Sequence, residues 1–169
     1  FGEDLPLELK AFQGENLETA RGGRIAASVG DHNHFGPRQK LGKNGGETIR
    51  LGDSKTSMQT ASCIVEHNLF EKCDGEAECI SNKSCGNLYR HNTFKGVSGT
   101  LTLRHGNGCT VEHNTFIGDG AKGAGGVRII GEDHTVTANH FENLTGDDER
   151  KLPALQRAAH DRLLSAVLA

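Results

Sequence analysis

A short unit recurs along this chain at His32-Asn33-His34-Phe35, His67-Asn68-Leu69-Phe70, His91-Asn92-Thr93-Phe94 and His113-Asn114-Thr115-Phe116, with a variant at Ala138-Asn139-His140-Phe141. Successive phenylalanines are 35, 24, 22 and 25 residues apart. Between the units lie short alternating runs such as Thr48-Ile49-Arg50-Leu51, Gly99-Thr100-Leu101-Thr102-Leu103 and Gly126-Val127-Arg128-Ile129-Ile130. Such runs read as strands. A period in the low twenties, made of strands and turns with no helical stretch inside it, describes a coil of parallel β-structure whose turns stack at about 4.8 Å. The expected fold is therefore all-β, a right-handed parallel β-helix of about five rungs. Equivalent residues then lie above one another, so the phenylalanines should stack inside the coil while the asparagine amides form a ladder in a tight turn. A leucine-rich-repeat solenoid lacks its consensus here, and the strands of an antiparallel sandwich would not repeat one tripeptide so faithfully. The enlarged interval between Phe35 and Phe70 should hold a loop.

The repeat covers residues 31–146. Residues 1–30 form a non-repeat N-terminal flank, and in residues 147–169 Leu152, Leu155, Ala159, Leu163 and Val167 follow Pro153 with the spacing of a C-terminal amphipathic helix. Both flanks read either as caps over the open ends of the coil or as segments foreign to it. With 169 residues the chain has the size of one domain, and 23 glycines against 3 prolines fit an ordered structure with many tight turns. A net charge of −3 offers no basic field for nucleic acid, and 34% hydrophobic residues offer no membrane span. The five cysteines contain no C-x-x-C spacing and read as buried free thiols. Because Phe1 comes first and Met58 is the sole methionine, a processed form or a fragment is expected. Nothing in the sequence fixes an oligomeric state.

Charged residues also recur near the structural period. Arg50, Lys83, Arg104 and Arg128 are separated by 33, 21 and 24, so they are expected in one column as a local anion-binding face. The plain alternative is a chance register of outward-facing charges. Glu76 and Glu78, two apart on an extended segment, point to the same side. They either sit on an open surface or converge on a hard cation, with Asn44 able to add a neutral carbonyl from the next rung. Five of the nine histidines (His32, His67, His91, His113 and His140) lie within or beside the repeat, which argues for a structural role over zinc.

Four stretches together resemble a known family: Asn44-Gly45-Gly46-Glu47-Thr48-Ile49-Arg50, Cys73-Asp74-Gly75-Glu76-Ala77-Glu78 with Ser81-Asn82-Lys83-Ser84, Leu101-Thr102-Leu103-Arg104-His105-Gly106-Asn107, and Val127-Arg128-Ile129-Ile130-Gly131. In order and spacing they are similar to the active-site stretches of polysaccharide lyase family 6, which contains alginate lyases and chondroitinase B. The resemblance implies a parallel β-helix with a calcium-assisted β-elimination site on its surface. It also implies Asn44, Glu76 and Glu78 as calcium ligands, Lys83 as Brønsted base, Arg104 as Brønsted acid, and His105, Arg128 and Arg50 as substrate contacts.

Those residue types suit that chemistry. Removing the proton on carbon 5 of a 4-linked uronate is feasible only if the adjacent carboxylate is neutralised while negative charge develops. A lysine can take that proton only when it is itself neutral, a form that nearby positive charge favours. Arginine is a poor acid, so Arg104 would donate through water or stabilise the leaving oxygen. The expected function is a lyase acting on alginate or, in a chondroitinase B-like variant, on dermatan sulfate. A non-catalytic module binding acidic polysaccharide and a uronate epimerase are the alternatives. The resemblance further implies a secreted or periplasmic protein with an acidic polysaccharide as its partner.

Overall fold

The computed structural model describes residues 28–55 and 57–146. The expected C-terminal helix, and the N-terminal flank before Ser28, lie outside the described residues. Among the described residues, fourteen short strands wind into three parallel sheets. The first sheet stacks β1 (Ser28–Asp31), β4 (Ile64–Glu66), β7 (Leu88–Arg90), β10 (Thr110–Glu112) and β13 (Thr135–Thr137). The second stacks β2 (His34–Phe35), β5 (Leu69–Glu71), β8 (Thr93–Lys95), β11 (Thr115–Ile117) and β14 (His140–Glu142). The third stacks β3 (Ile49–Leu51), β6 (Glu78–Lys83), β9 (Thr100–His105) and β12 (Val127–Ile129). Each strand pairs with its equivalent one turn away, which is the parallel β-helix expected from the repeat. Its first strand begins at Ser28, slightly ahead of the first repeat unit.

The repeat unit is the corner between the first two sheets. Its leading residue adopts a left-handed backbone, with φ of 54° at His32, His67 and His91, 53° at His113 and 51° at Ala138. A residue with a Cβ pays about 1–2 kcal/mol for that conformation, and the neighbouring groups offset the cost. The exposed imidazoles stack down the corner with ring centroids 4.8, 4.9 and 5.3 Å apart. The asparagine that follows supplies the hydrogen bonds. Asn92 Oδ1 accepts from the backbone N–H of Asn68 at 3.1 Å and from its Nδ2 at 3.0 Å. Asn114 Oδ1 does the same for Asn92 at 2.9 and 2.9 Å, and Asn139 Oδ1 for Asn114 at 2.9 and 3.0 Å. The phenylalanine two residues on turns inward, and Phe35, Phe70, Phe94, Phe116 and Phe141 stack with centroids 4.8, 4.6, 4.6 and 5.1 Å apart. Both expected columns are present.

The second sheet supplies these phenylalanines to the core. The third contributes Ile49, Leu51, Ile80, Leu101 and Leu103, and the first contributes Val65, Tyr89 and Val111, all fully buried. Five cysteines are free thiols, four of them buried; burial alone pushes the Cys63 thiol up to about 11, so it is inert near neutral pH. No helix among the described residues is long and apolar enough to cross a membrane. The enlarged interval between Phe35 and Phe70 holds two loops, residues 36–48 and 52–63, on either side of β3. The first of them builds the site.

Candidate active site

Two backbone segments meet on the face of the third sheet. Leu41 N–H donates to the Gly75 carbonyl at 2.8 Å, and Thr48 N–H to the Cys79 carbonyl at 2.8 Å. The closest approach is between two glycines: a Cβ on Gly46 would lie 2.4 Å from the Gly75 oxygen, and one on Gly75 would lie 2.0 Å from the Gly46 oxygen. No side chain fits at either position. Gly75→Ala is therefore expected to push the two segments apart, at about 1–3 kcal/mol of overpacking strain. Thermal melting checks this, and an unchanged midpoint would mean that the segments are not in this contact.

Where the segments meet, a small pocket of about 120 Å³ is lined by Asn44, Gly45, Glu47, Arg50, Glu76, Glu78, Lys83 and Arg104. It has room for an ion together with several waters. Acids and bases alternate around it. Glu76 Oε2 accepts the backbone N–H groups of Gly45 and Gly46 at 3.1 and 3.2 Å. Glu78, whose side chain is only 7% exposed, holds Arg104 through Oε1 and Nη1 at 2.6 Å, with Arg128 Nη1 3.8 Å away. Glu47 pairs through Oε1 with Arg50 Nη1 at 3.3 Å, and its backbone carbonyl accepts from Arg38 Nη1 at 3.0 Å. Its second oxygen, Oε2, is buried without a hydrogen-bond partner. Leaving such an oxygen unpaired is costly.

The strands beneath explain how Lys83 and Arg104 come to the rim. Between β6 and β9, Glu78 pairs with Thr100 but Ile80 with Leu101, and Asn82 pairs with Leu103 but Lys83 with His105. Cys79 is thus an extra residue in β6 and Arg104 an extra residue in β9. Each is a bulge, the device that re-aims side chains beside active sites. Asn82 pins the edge: its Nδ2 donates to the carbonyls of Ser84 and His105, both at 2.9 Å, while its Oδ1 accepts from Asn87 Nδ2 and Tyr89 Oη, both at 2.7 Å.

The register of these strands corrects one expectation. Arg50, Lys83, Arg104 and Arg128 do not form a single column: Arg50 pairs with Ser81 and Arg128 with Thr102, whereas Lys83 pairs with His105 and Arg104 is the bulge residue. Residue spacing had tracked the period without tracking the register. Asn44, Glu76, Glu78, Lys83, Arg104 and Arg50 nevertheless share the pocket. Arg128 reaches it through Glu78. His105 lies beside Lys83 on the next rung, outside the pocket lining, with its Nδ1 buried and unpartnered. Glu47 was missed as a site residue. No strand pattern marks it, because it lies in the loop before β3.

Comparison with known proteins gives the family. The family described as Chondroitinase B matches residues 28–162. The chain belongs to the chondroitinase B family. Among solved structures, this family member is similar to the PL6 family alginate lyase AlyGC, with 52% identity and a TM-score of 0.67–0.68 over 69% of this chain and 16% of that one. It is similar to a mannuronic acid specific polysaccharide family 6 lyase from human gut microbiota, with 47% identity and a TM-score of 0.67 over 68% of this chain and 26% of that one. A third, a PL6 alginate lyase in complex with a trisaccharide, is 33% identical with a TM-score of 0.62 over 73% of this chain and 29% of that one. The chain thus spans less than a third of the length of these structural relatives. No curated protein matches it.

Proposed function

We propose that this chain carries the catalytic site of a lyase that cleaves a uronate-containing polysaccharide, alginate, by calcium-assisted β-elimination. One observation carries the reading: a single pocket gathers Lys83 and Arg104 with Asn44, Glu76 and Glu78, drawn from three successive rungs. The relatives named as alginate lyases support alginate as substrate. The family description supports dermatan sulfate as a second reading. A polymer of this kind is met outside the cytoplasm, so a secreted or periplasmic location goes with the proposal.

The donor set suits a hard cation in type, since it consists of carboxylate and amide oxygens. The buried, partnerless Oε2 of Glu47 is an observation of the same kind, an oxygen lacking a positive partner. Among the described residues no three His, Cys, Asp or Glu side chains are gathered closely enough to hold a metal by themselves. Protein partners hold the carboxylates apart: the Gly45 and Gly46 amides hold Glu76, Arg104 holds Glu78, and Arg50 holds Glu47. Asn44, Glu76 and Glu78 would hold calcium, with Glu47 within the same pocket. When bound, the ion would neutralise the substrate carboxylate and so make the proton on carbon 5 acidic enough to remove.

The chain's own residues do the rest. Neutral Lys83 takes the proton from carbon 5 through Nζ. The electron pair of that C–H bond becomes the double bond between carbons 4 and 5, and the bond from carbon 4 to the glycosidic oxygen breaks. Arg104, oriented by Glu78, stabilises the charge on the departing oxygen, which a water molecule protonates. Arg50 and Arg128 flank the acids and provide positive charge for neighbouring uronates.

Incubating the chain with alginate and with dermatan sulfate side by side tests the reading. New ultraviolet absorbance from an unsaturated uronate is expected on alginate, lost with a chelator and restored by added calcium. Retained polymer affinity without new absorbance would indicate a binding module, and inverted uronate would indicate an epimerase.

A further inference from the structure

Asn44 and Asn107 are each followed by glycine. Glycine has no side chain to shield its nitrogen, so at such a pair the backbone nitrogen reaches the asparagine side-chain carbon with little hindrance. The fold treats the two pairs differently. At Asn107 both reacting groups are tied to Glu132: the Gly108 N–H donates to the Glu132 carbonyl at 3.1 Å, and Asn107 Oδ1 accepts from the Glu132 N–H at 3.2 Å. A backbone carbonyl takes up no proton near neutral pH. Asn44 is exposed on loop 36–48, and among the described residues no hydrogen bond holds its side-chain amide. The Gly45 N–H meets a carboxylate instead, donating to Glu76 Oε2 at 3.1 Å. A Cβ built on Gly45 would meet nothing within 4 Å, so the pair is open to water.

We propose that Asn44 is a self-modifying position, deamidating with Glu76 as the proton acceptor, so that the pocket gains a negative charge as the molecule ages. The Gly45 nitrogen attacks the Asn44 side-chain carbon, and its proton passes to the carboxylate that already accepts its hydrogen bond. The bond from that carbon to the side-chain nitrogen breaks, and ammonia leaves with the proton. A five-membered imide remains. Water then opens it at either carbonyl, leaving an aspartate or an isoaspartate. In balance, one water is consumed, one ammonia is released, and nothing is oxidised or reduced. Either product sets a new carboxylate beside Glu47, Glu76 and Glu78. Isoaspartate also adds a carbon to the main chain next to the Gly45 and Gly46 amides that hold Glu76. The inference stands apart from the elimination reading, because its readout is covalent mass and not turnover.

Trypsin separates the two sites, placing Asn44 in peptide 44–50 and Asn107 in peptide 105–122. The folded chain is held warm at neutral pH, and aliquots are digested over time, the first fixing what digestion itself adds. Peptide 44–50 is expected to become about 1 Da heavier and to split into aspartate and isoaspartate forms on a reversed-phase column. Asn107 is expected to lag in the same sample, and the two rates to converge when the chain is kept in urea. Glu76→Gln retains an oxygen for the hydrogen bond but no base, and is expected to slow Asn44 by at least about tenfold, a positioned base being worth up to about 10²–10⁴-fold. A slow Asn107 in that variant shows that its coil is intact. The proposal is overturned if Asn107 keeps pace with Asn44 in the folded wild-type chain, if the gap between them persists in urea, or if Glu76→Gln deamidates at the wild-type rate.

Discussion

On the proposed elimination chemistry, Lys83→Ala is expected to lower uronate elimination by about 10²–10⁴-fold, the usual worth of a general base. The same variant is expected to keep the proposed calcium binding, because lysine offers no oxygen to a metal. Lys83→Arg is expected to fail to the same extent. Arginine keeps the charge and its affinity for carboxylates but does not give up its proton near neutral pH, so it preserves an electrostatic anchor while removing a base. The pocket sharpens this comparison, because Arg50 and Arg104 already line it and a third guanidinium would add attraction without chemistry. Initial rates by ultraviolet absorbance and calcium titration by calorimetry are the two readouts, with Glu76→Gln, Glu78→Gln as the variant expected to lose the ion. Full elimination activity in Lys83→Arg would place the base elsewhere.

Phe94→Ala is expected to cost about 3–5 kcal/mol, a large share of the roughly 5–15 kcal/mol that holds a domain together. The ring is 3% exposed and lies between Phe70 and Phe116, each 4.6 Å away by centroid. Collapse cannot fill the gap, since Phe70, Phe94 and Phe116 sit on strands paired in register and the ladder fixes their separation. Phe141, partly buried at the last described rung, should cost less when truncated. Urea denaturation compares the two, and a loss at Phe94 no greater than at Phe141 would show that the stack relaxes freely.

The fold was legible because a solenoid turns spatial neighbours into sequence periods. Asn68, Asn92 and Asn114 touch one another, and their spacing alone says so. The same arithmetic failed for the four basic residues, for a physical reason: it counts residues along the chain, whereas the place of a residue in its strand depends on how many residues the preceding loops take up. Arg50 and Arg128 align with Ser81 and Thr102, each two residues before Lys83 and Arg104. Most of the pocket was legible through motif order, which survives a change of loop length. Glu47 and the contact of Gly46 with Gly75 were not, because both depend on how loop 36–48 folds back, and no repeat constrains that loop.

The pocket draws Asn44, Glu47 and Arg50 from one turn of the coil, Glu76, Glu78 and Lys83 from the next, and Arg104 from the one after. It is therefore gauged across the coil, in steps of one strand spacing, about 4.8 Å. Such a ruler is unforgiving at one scale and indifferent at another. A whole turn gained or lost between Asn44 and Arg104 displaces its parts by more than the 2.6 Å contact of Glu78 with Arg104 can bridge. A turn gained beyond Gly131 changes the length of the molecule and leaves every distance in the pocket as it was. Proteins built this way can lengthen their binding surface at the ends while inheriting the middle unchanged.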